Sequence, residues 1–266
     1  MTAPRPYSTL TAMTAGLVMA FVLLPVGFIA LYAFNNGAYV TLPPKAPTLH
    51  WFVNFFGNKR FVAALGSSLA IAALVTPAAV LVALPTAVAL VRHEFPGKAM
   101  VNAMLLAPLV VPGVITGIAF LSLSSLLGMG SGFWPLTLAL LCYGVPFAVR
   151  ALVANLHGLD ATLDEVASNL GASRFRAFLW VTLPQLRPGL LAGGIFVFVE
   201  AIDNFSIAVF LTNSRTTTLP VEAYSYIRDF DDPTVAAMAA LLMALSVVLV
   251  TVVDKVVGLD RFLELR

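Results

Sequence analysis

The sequence predicts an all-α, polytopic membrane protein with six transmembrane helices, and three observations carry that reading. Hydrophobic residues make up 60% of the chain and charged residues only 11%, where a soluble domain carries about a quarter of its residues as Asp, Glu, Lys and Arg. The apolar residues gather into six stretches, each near the roughly 20 residues needed to cross hydrocarbon, and the mean hydropathy is +0.95. The Lys and Arg residues then divide unequally between the two sides that such stretches create.

The first stretch, Leu10–Phe34, follows Arg5 and could be read as a leader. Leader cores run about 7–15 residues and end at a small-residue A-x-A site. This run is longer and "IALYAFNNGA" offers no such site, so a retained helix is expected. The segment after it is broken by prolines. Trp51, Phe52, Phe55 and Phe56 then recur at helical spacing along an interface, with His50 solvated beside them. The second span is Ser67–Val91, and "RHEFPGK" after it is a tight turn at Pro96-Gly97.

The third span, Met100–Leu126, holds Pro108, Pro112, Gly113 and Gly117. Two readings stand: a kinked helix facing a pathway, or close helix packing through small residues. The Gly-rich loop "LGMGSGF" leads to the fourth span, Trp134–Leu156, where Arg150 can snorkel to headgroups. Cys142 is the single cysteine and lies in this span, so no disulfide within the chain and no Cys-rich metal site can form. The fifth span is Pro188–Leu211 and the sixth Thr234–Val257. Between them "NSRTTTLPVEAYSYIRDFDD" is polar enough to meet a periplasmic partner. No repeat or soluble segment separates from the rest, so residues 1–266 read as one transmembrane domain.

Six spans put both termini on one side. An N-terminus inside places Arg5, Arg92, Lys98, Arg150, Arg174, Arg176, Arg187, Lys255, Arg261 and Arg266 in the cytoplasm. It leaves Lys45, Lys59, Arg60, Arg215 and Arg228 outside, an asymmetry that favours cytoplasmic termini. Trp51 and Trp134 then fall at the outer boundary and Trp180 near the inner one. No basic run with interleaved aromatics occurs, so a nucleic-acid partner is not suggested.

One polar block, "DATLDEVASNLGASRFRAFLWVTLPQLRP", interrupts this apolar chain and lies on the cytoplasmic side, within a loop of about 157–187. "TLDE" has the form of a capping box, with Thr162 accepting from the backbone of Glu165 and Glu165 reaching back. A short helix is expected to carry Glu165, Val166, Ala167 and Leu170 and to stop at Gly171. A second helix follows from Ser173, with Phe175, Phe178 and Leu179 on one face, and ends before Pro184. An exposed helix of this kind suits a groove on another protein or the membrane interface, and its shape does not separate the two.

"EVASNLGASRFRAFLWVTLP" resembles the EAA motif of binding-protein-dependent ABC importer permeases: EAA, three residues, Gly, nine residues, Ile, one residue, Leu-Pro. Glu165, Ala167, Gly171, Leu183 and Pro184 match in register, with Val166 and Val181 as small apolar replacements. The similarity extends over roughly Trp51 to Arg261. "ALGSSLAIA" looks like the start of that family's core. "DNFSIAVFLTNSRTTTLPV", "DDPTVAAMAALLMALSVVLV" and "GLDRF" resemble its spermidine/putrescine-type branch. The resemblance implies a type I importer permease fold of MetI-like form, in the bacterial inner membrane. It implies that Glu165, Val166, Ala167, Leu170, Gly171, Ala172 and Ser173 form a coupling helix seated on an ATPase. It also implies two ABC ATPase subunits, a second permease subunit (the same or a homologous chain) and a periplasmic solute-binding protein. A small polar solute is implied, with polyamine-like organic cations favoured. Amino acid derivatives, phosphonate and ferric iron remain alternatives within the family.

No cofactor is expected on this chain. A phosphate-cradling loop needs G-x-x-x-x-G-K-[ST]. The Gly97-Lys98 pair is followed by Ala99 and lacks a Gly at the required spacing, so ATP and magnesium are expected on a partner ATPase. No metal site is expected either. The fifth span contains Glu200 and Asp203, and acids at membrane depth default to functional sites facing a bundle interior or wet cavity. Glu200, Asp203 and Asn204 fall at i, i+3 and i+4, one helical face that Ile207 and Leu211 continue. That face is expected to line the translocation path. Pairing of either acid with an arginine from another helix, or a protonated acid in a dry interior, is the competing expectation.

Two other classes compete. An ion-coupled secondary transporter fits inverted repeats and broken helices, but no clear repeat occurs and the docking loop would be unexplained. An intramembrane enzyme would need a base within about 3 Å of its nucleophile. His157 and the serines Ser124, Ser125 and Ser131 lie at opposite ends of their spans.

Overall fold

The computed structural model describes the backbone of residues 9–37, 46–160 and 162–257, and the side chains of 11–37, 46–160 and 162–251. Arg5, Lys45, Arg261, Arg266 and the Lys255 side chain, used above for orientation, lie outside the described residues, as does the "GLDRF" ending. Every regular element described is helical. In order they are α1 (Thr9–Tyr32), α2 (His50–Gly57), α3 (Lys59–Arg92), α4 (Lys98–Val110), α5 (Gly113–Leu126), α6 (Phe133–His157) and α7 (Thr162–Asn169). There follow α8 (Arg174–Ala177), a π-turn (Phe178–Thr182), α9 (Leu183–Gln185), α10 (Arg187–Asp203), α11 (Phe205–Leu211), α12 (Leu219–Asp229) and α13 (Thr234–Val257).

Four described helices are long and apolar enough to cross a membrane unaided, and the number reaches six where each of two bent pairs counts as one span. The expected third span is not one kinked helix. It is α4 and α5, which meet at 104°. The cause is local: Pro112 has no N–H to donate and drives the preceding residue out of the helical region. Val111 is accordingly extended, at φ −75 and ψ 127, and Pro112 follows at φ −54 and ψ 134. The expected fifth span is likewise interrupted. Helix α10 ends at Asp203, Asn204 is extended with ψ 99, and α11 begins at Phe205. The second span starts earlier than its apolar run, at Lys59, and α3 extends over 34 residues. At 1.5 Å per residue it is about 50 Å long, well beyond a hydrocarbon core of about 30 Å. Helix α12, inside the polar segment before the sixth span, carries no apolar run and was not expected.

The chain divides into two compact units. The first comprises residues 1–59 and 225–245. Its core joins Ala33 to Ala236 and Ala237, with Ile29, Tyr32, Trp51, Phe52 and Ala240 packed around them. Polar pins surround that core: Trp51 Nε1 donates to the Asn35 carbonyl at 2.6 Å and Asn54 Nδ2 to Thr234 Oγ1 at 2.8 Å. Helix α2 has the expected aromatic face, though Phe55 is buried and Phe56 exposed.

The second unit comprises residues 60–224 and 246–266, and its core is a set of four-residue stripes. Buried positions recur as Ile71, Val75, Ala79, Ala83 and Ala87 on α3. They recur as Leu136, Leu140, Gly144, Ala148, Leu152 and Leu156 on α6, and as Gly189, Gly193, Val197 and Ala201 on α10. Rows spaced by four form a ridge that fits the groove of a similar helix. Small residues in those rows let backbones approach closely where lipid supplies no hydrophobic drive. A Cβ on Gly193 would lie 3.1 Å from Ala148 Cα and 3.3 Å from Ala151 Cβ. One on Gly144 would lie 3.1 Å from Val197 Cγ1. By contrast nothing lies within 4 Å of a Cβ built on Gly66 of α3.

Gly193→Val should therefore push α6 and α10 apart at a cost of about 1–3 kcal/mol. Gly66→Ala should be neutral or stabilising by a few tenths, because only helix propensity changes. Thermal unfolding of the detergent-purified protein reads both: a midpoint lower by roughly 5 °C for the first and none lost for the second.

Candidate functional site

The polar block folds as expected in outline and differently in detail. Helix α7 begins at Thr162, which places that residue inside the helix instead of at its cap. The backbone N–H of Thr162 donates to Asp160 Oδ1 at 3.0 Å, and this bond holds the Asp160 carboxyl below the usual carboxylate range. The reciprocal capping box between Thr162 and Glu165 is thus replaced by an Asp160 turn, and Glu165 is left exposed. The far end closes as the sequence predicts. Gly171 sits at φ +90, its N–H donates to the Ser168 carbonyl and that of Ala172 to the Ala167 carbonyl, both at 3.0 Å. These two bonds are a Schellman closure, which needs a residue free of Cβ strain at the left-handed position. Ser173 then caps α8, accepting from the Arg176 N–H at 3.4 Å.

Pro184 does not end the second helix. The chain widens into the π-turn first, with the Leu183 N–H bonded to the Phe178 carbonyl five residues back. That looser turn absorbs the donor that Pro184 lacks, and the chain bends by 65° only at the junction with α10. Of the predicted coupling residues, Glu165, Val166, Leu170, Gly171 and Ser173 are exposed, Leu170 to 84%, while Ala167 and Ala172 are half-buried. The result is an apolar, solvent-facing rim on a short, turn-bounded helix.

Asp164, next to the motif glutamate, was not singled out by sequence. Its carboxylate pairs with Arg92 at the end of α3 and accepts from Thr182 Oγ1 at 2.7 Å. Nothing in the sequence spacing links residues 92, 164 and 182.

Within the same unit, one cavity borders both the start of α5 and the break between α10 and α11. Gly113, Tyr143, Val199, Glu200, Asp203, Asn204, Phe205 and Ser206 line a cavity of about 270 Å³. Asn204 organises it: Nδ2 donates to Glu200 Oε1 at 2.8 Å, and Oδ1 accepts the Ile207 N–H at 2.9 Å and so caps α11. The expected continuous face is therefore broken after Asp203. Glu200, Asp203 and Asn204 share one cavity. Ile207 turns away and is buried where a Cβ on Gly117 would lie 3.2 Å from its Cα. Among the described residues the ion pairs are Arg92–Asp164 and Lys98–Glu94, so neither Glu200 nor Asp203 has an arginine partner there. Arg150 is exposed on α6.

At the end of α3 remote from Arg92, a polar cleft of about 440 Å³ is lined by Arg60, Ser67, Asn213, Arg215, Thr217 and Glu222, among others. The loop that forms it is pinned. Asn213 accepts from the N–H groups of Arg215 and Thr216 and donates to the Ser131 carbonyl, and the Leu219 N–H donates to buried Ser68 Oγ at 2.9 Å.

Comparison with known proteins gives a consistent result. The family described as "binding-protein-dependent transport system inner membrane component" matches residues 5–259. The spermidine/putrescine transport system permease protein PotC of Escherichia coli (strain K12) is 30% identical over 244 residues, covering 92% of each chain. The putrescine transport system permease protein PotI of the same strain is 31% identical over 231 residues, covering 84% of this chain and 82% of its own. In fold, the chain is similar to a bacterial alginate ABC transporter solved with alginate pentasaccharide-bound periplasmic protein. The TM-score is 0.67 at 17% identity, with 92% of each chain covered. It is also similar to the MetNI methionine ABC transporter, with a TM-score of 0.63 at 19% identity over 74% of this chain and 94% of that one.

Asn204 is the residue on which this cavity's geometry turns. Asn204→Ala should cost about 1–2 kcal/mol, uncapping α11 and leaving Glu200 without its donor. Asn204→Ser keeps a capping oxygen and should lose less than half as much. Thermal unfolding in detergent gives the order, with alanine below serine below the unaltered chain.

Proposed function

We propose a mechanism from one premise: the chain belongs to the binding-protein-dependent transport system inner membrane components and is a membrane-spanning permease subunit of an ABC importer. It is a transport subunit and not an enzyme, and hydrolysis of ATP falls to a separate ATPase subunit. The family match runs across both compact units, which supports treating residues 1–266 as one permease domain. Two permease subunits, this chain paired with a copy or a homologue, would enclose the path. Two ATPases carrying ATP and magnesium would sit beneath them in the cytoplasm, where both termini would also lie. A periplasmic binding protein would deliver solute to the opposite end, where the pinned loop after α11 and its polar cleft are well suited to receive it.

The single observation that carries the coupling reading is the exposed rim of α7. Glu165, Val166 and Leu170 face solvent on a helix closed by Gly171, with Ala167, Ala172 and Ser173 completing the turn. This rim would seat in a cleft of the ATPase, and closure of the ATPases would move it as a rigid body. The solute would pass the cavity at the two helix breaks. Glu200 and Asp203 give that cavity negative charge without a cationic side chain to neutralise it, which suits a polyamine or related organic cation. The PotC and PotI similarity favours the same class. Ile207 would act behind the cavity wall, holding α11 against α5.

Two experiments test this in the complete transporter reconstituted with its ATPase. Glu165→Lys and Gly171→Pro should reduce ATP-driven uptake by at least about tenfold while the chain stays in the membrane; normal uptake in both would sink the coupling role. Asp203→Asn should weaken uptake of labelled spermidine by about tenfold with assembly intact, the order expected when a partly desolvated charge contact is lost. Unchanged affinity and rate would remove Asp203 from the path.

A further inference from the structure

Helix α7 has no buried side chain, and at 8 residues it is too short to hold its own shape in water. Its two ends are tied by turns, yet turns alone fix a helix's length and not its direction. A lever of this kind needs a third point of attachment, and one carboxylate supplies it. Asp164 lies in the first turn of α7, with Oδ2 on Arg92 Nη1 and Oδ1 accepting from Thr182 Oγ1. Each partner belongs to a different element. Arg92 is the last residue of α3, where its charge also suits the helix C-terminus. Thr182 is 3% exposed and closes the π-turn, and the Leu186 N–H bonds back to its carbonyl at 3.1 Å just before α10 begins. The hydroxyl belongs to a buried residue and the charges are half-sheltered: the Arg92 and Asp164 side chains are 22% and 23% exposed.

We propose that Asp164 is a positioning residue, a latch that ties the coupling helix to α3 and, through Thr182, to α10, so that displacement of α7 enters both helices together. This rests on the reading of α7 as the ATPase-docking element. Helix α3 carries the displacement toward the polar cleft at Arg60, and α10 carries it to Glu200 and the break at Asn204. Without the latch, a push on Glu165 and Leu170 swings α7 about its two turns and is spent there. The latch therefore sets how much of each hydrolysis reaches the path, and it leaves ATPase docking to the exposed rim.

The test uses the complete reconstituted transporter and two readouts. The first is ATP hydrolysed per labelled spermidine imported. The second needs no solute: nitroxides placed at the exposed positions His93 and Ser168, in a Cys142→Ala background, report the α3–α7 distance with and without a non-hydrolysable ATP analogue. In the unaltered chain that distance should stay single and unchanged when the analogue binds. Asp164→Asn, Arg92→Gln and Thr182→Val should each broaden it, with ATPase co-purifying in normal amounts. The ATP-to-solute ratio should rise by about fivefold for the charge variants, the order expected for a partly exposed pair. The double variant Arg92→Gln/Asp164→Asn should be no worse than either single, as contact between the two requires. Asp164→Glu should restore most of the coupling. Distances unchanged in all three single variants, additive losses in the double, or loss of bound ATPase would overturn the latch. Failure of the unaltered chain to import anything with ATP would instead bring down the function reading, and the latch with it.

Discussion

A peptide group at membrane depth has no water to bond, and this constraint governs the whole chain. Spanning segments must satisfy their own backbone, so irregular chain is tolerated only where protein covers it or a wet cavity receives it. The structure breaks the expected third span at Val111–Pro112 and the expected fifth at Asn204, and one cavity borders both Gly113 and Asn204. The freed groups are met locally. Asn204 caps α11 with its own side chain, and at the other break the Pro112 carbonyl accepts from the N–H groups of Ile115 and Thr116. Had the breaks fallen apart from each other, each would have needed its own shelter. Brought together, they share one polar pocket.

The rest of the second unit reads as the means of holding those breaks still. Helices α3, α6 and α10 bury rows spaced by four, with Ala and Gly wherever two backbones approach. Such packing gains little from water exclusion inside lipid, so its stiffness comes from dispersion contacts at short range. A methyl group at Gly193 would already be tighter than ordinary contact. Helix α10 joins this rigid block to the π-turn on one side and to Asn204 on the other. On the proposed coupling, a displacement delivered at one end would reach the cavity through this packed block.

Much of this was legible in the sequence, and the residues explain where legibility stopped. Composition and run length gave the helices, because burial in lipid acts on every residue of a span alike. Gly171 gave its turn, since positive φ at that place leaves few other choices. Pro112 signalled irregularity but not its angle, because the 104° bend is set by the extended backbone at both Val111 and Pro112, which a lone proline does not specify. Pro184 misled, because a π-turn ahead of it could absorb the missing donor. The face shared by Glu200, Asp203 and Asn204 was drawn for an unbroken helix. The group survives because Asn204, once outside the helix, still reaches Glu200 at 2.8 Å. The Arg92–Asp164–Thr182 joint was invisible for a simpler reason. Three residues so far apart in sequence carry no periodic signal when they meet.

The two carboxylates, which have no ion pair among the described residues, bear on what the cavity holds. An acidic side chain near the bilayer centre costs about 2.5–3.5 kcal/mol on insertion scales, and a protein offsets that with a cation, with hydrogen bonds or with water. Glu200 receives one hydrogen bond, from Asn204. Asp203 has no ion pair among the described residues, lines the same cavity and is exposed. Replacing both by amides would keep the shape and remove the cost, so retaining the charge makes physical sense where something positive visits. A passing cation also must leave again, and a site with one partly engaged acid beside one free acid binds less deeply than a fixed ion pair would. On the proposed function, that imbalance is what lets the cavity attract an organic cation without trapping it.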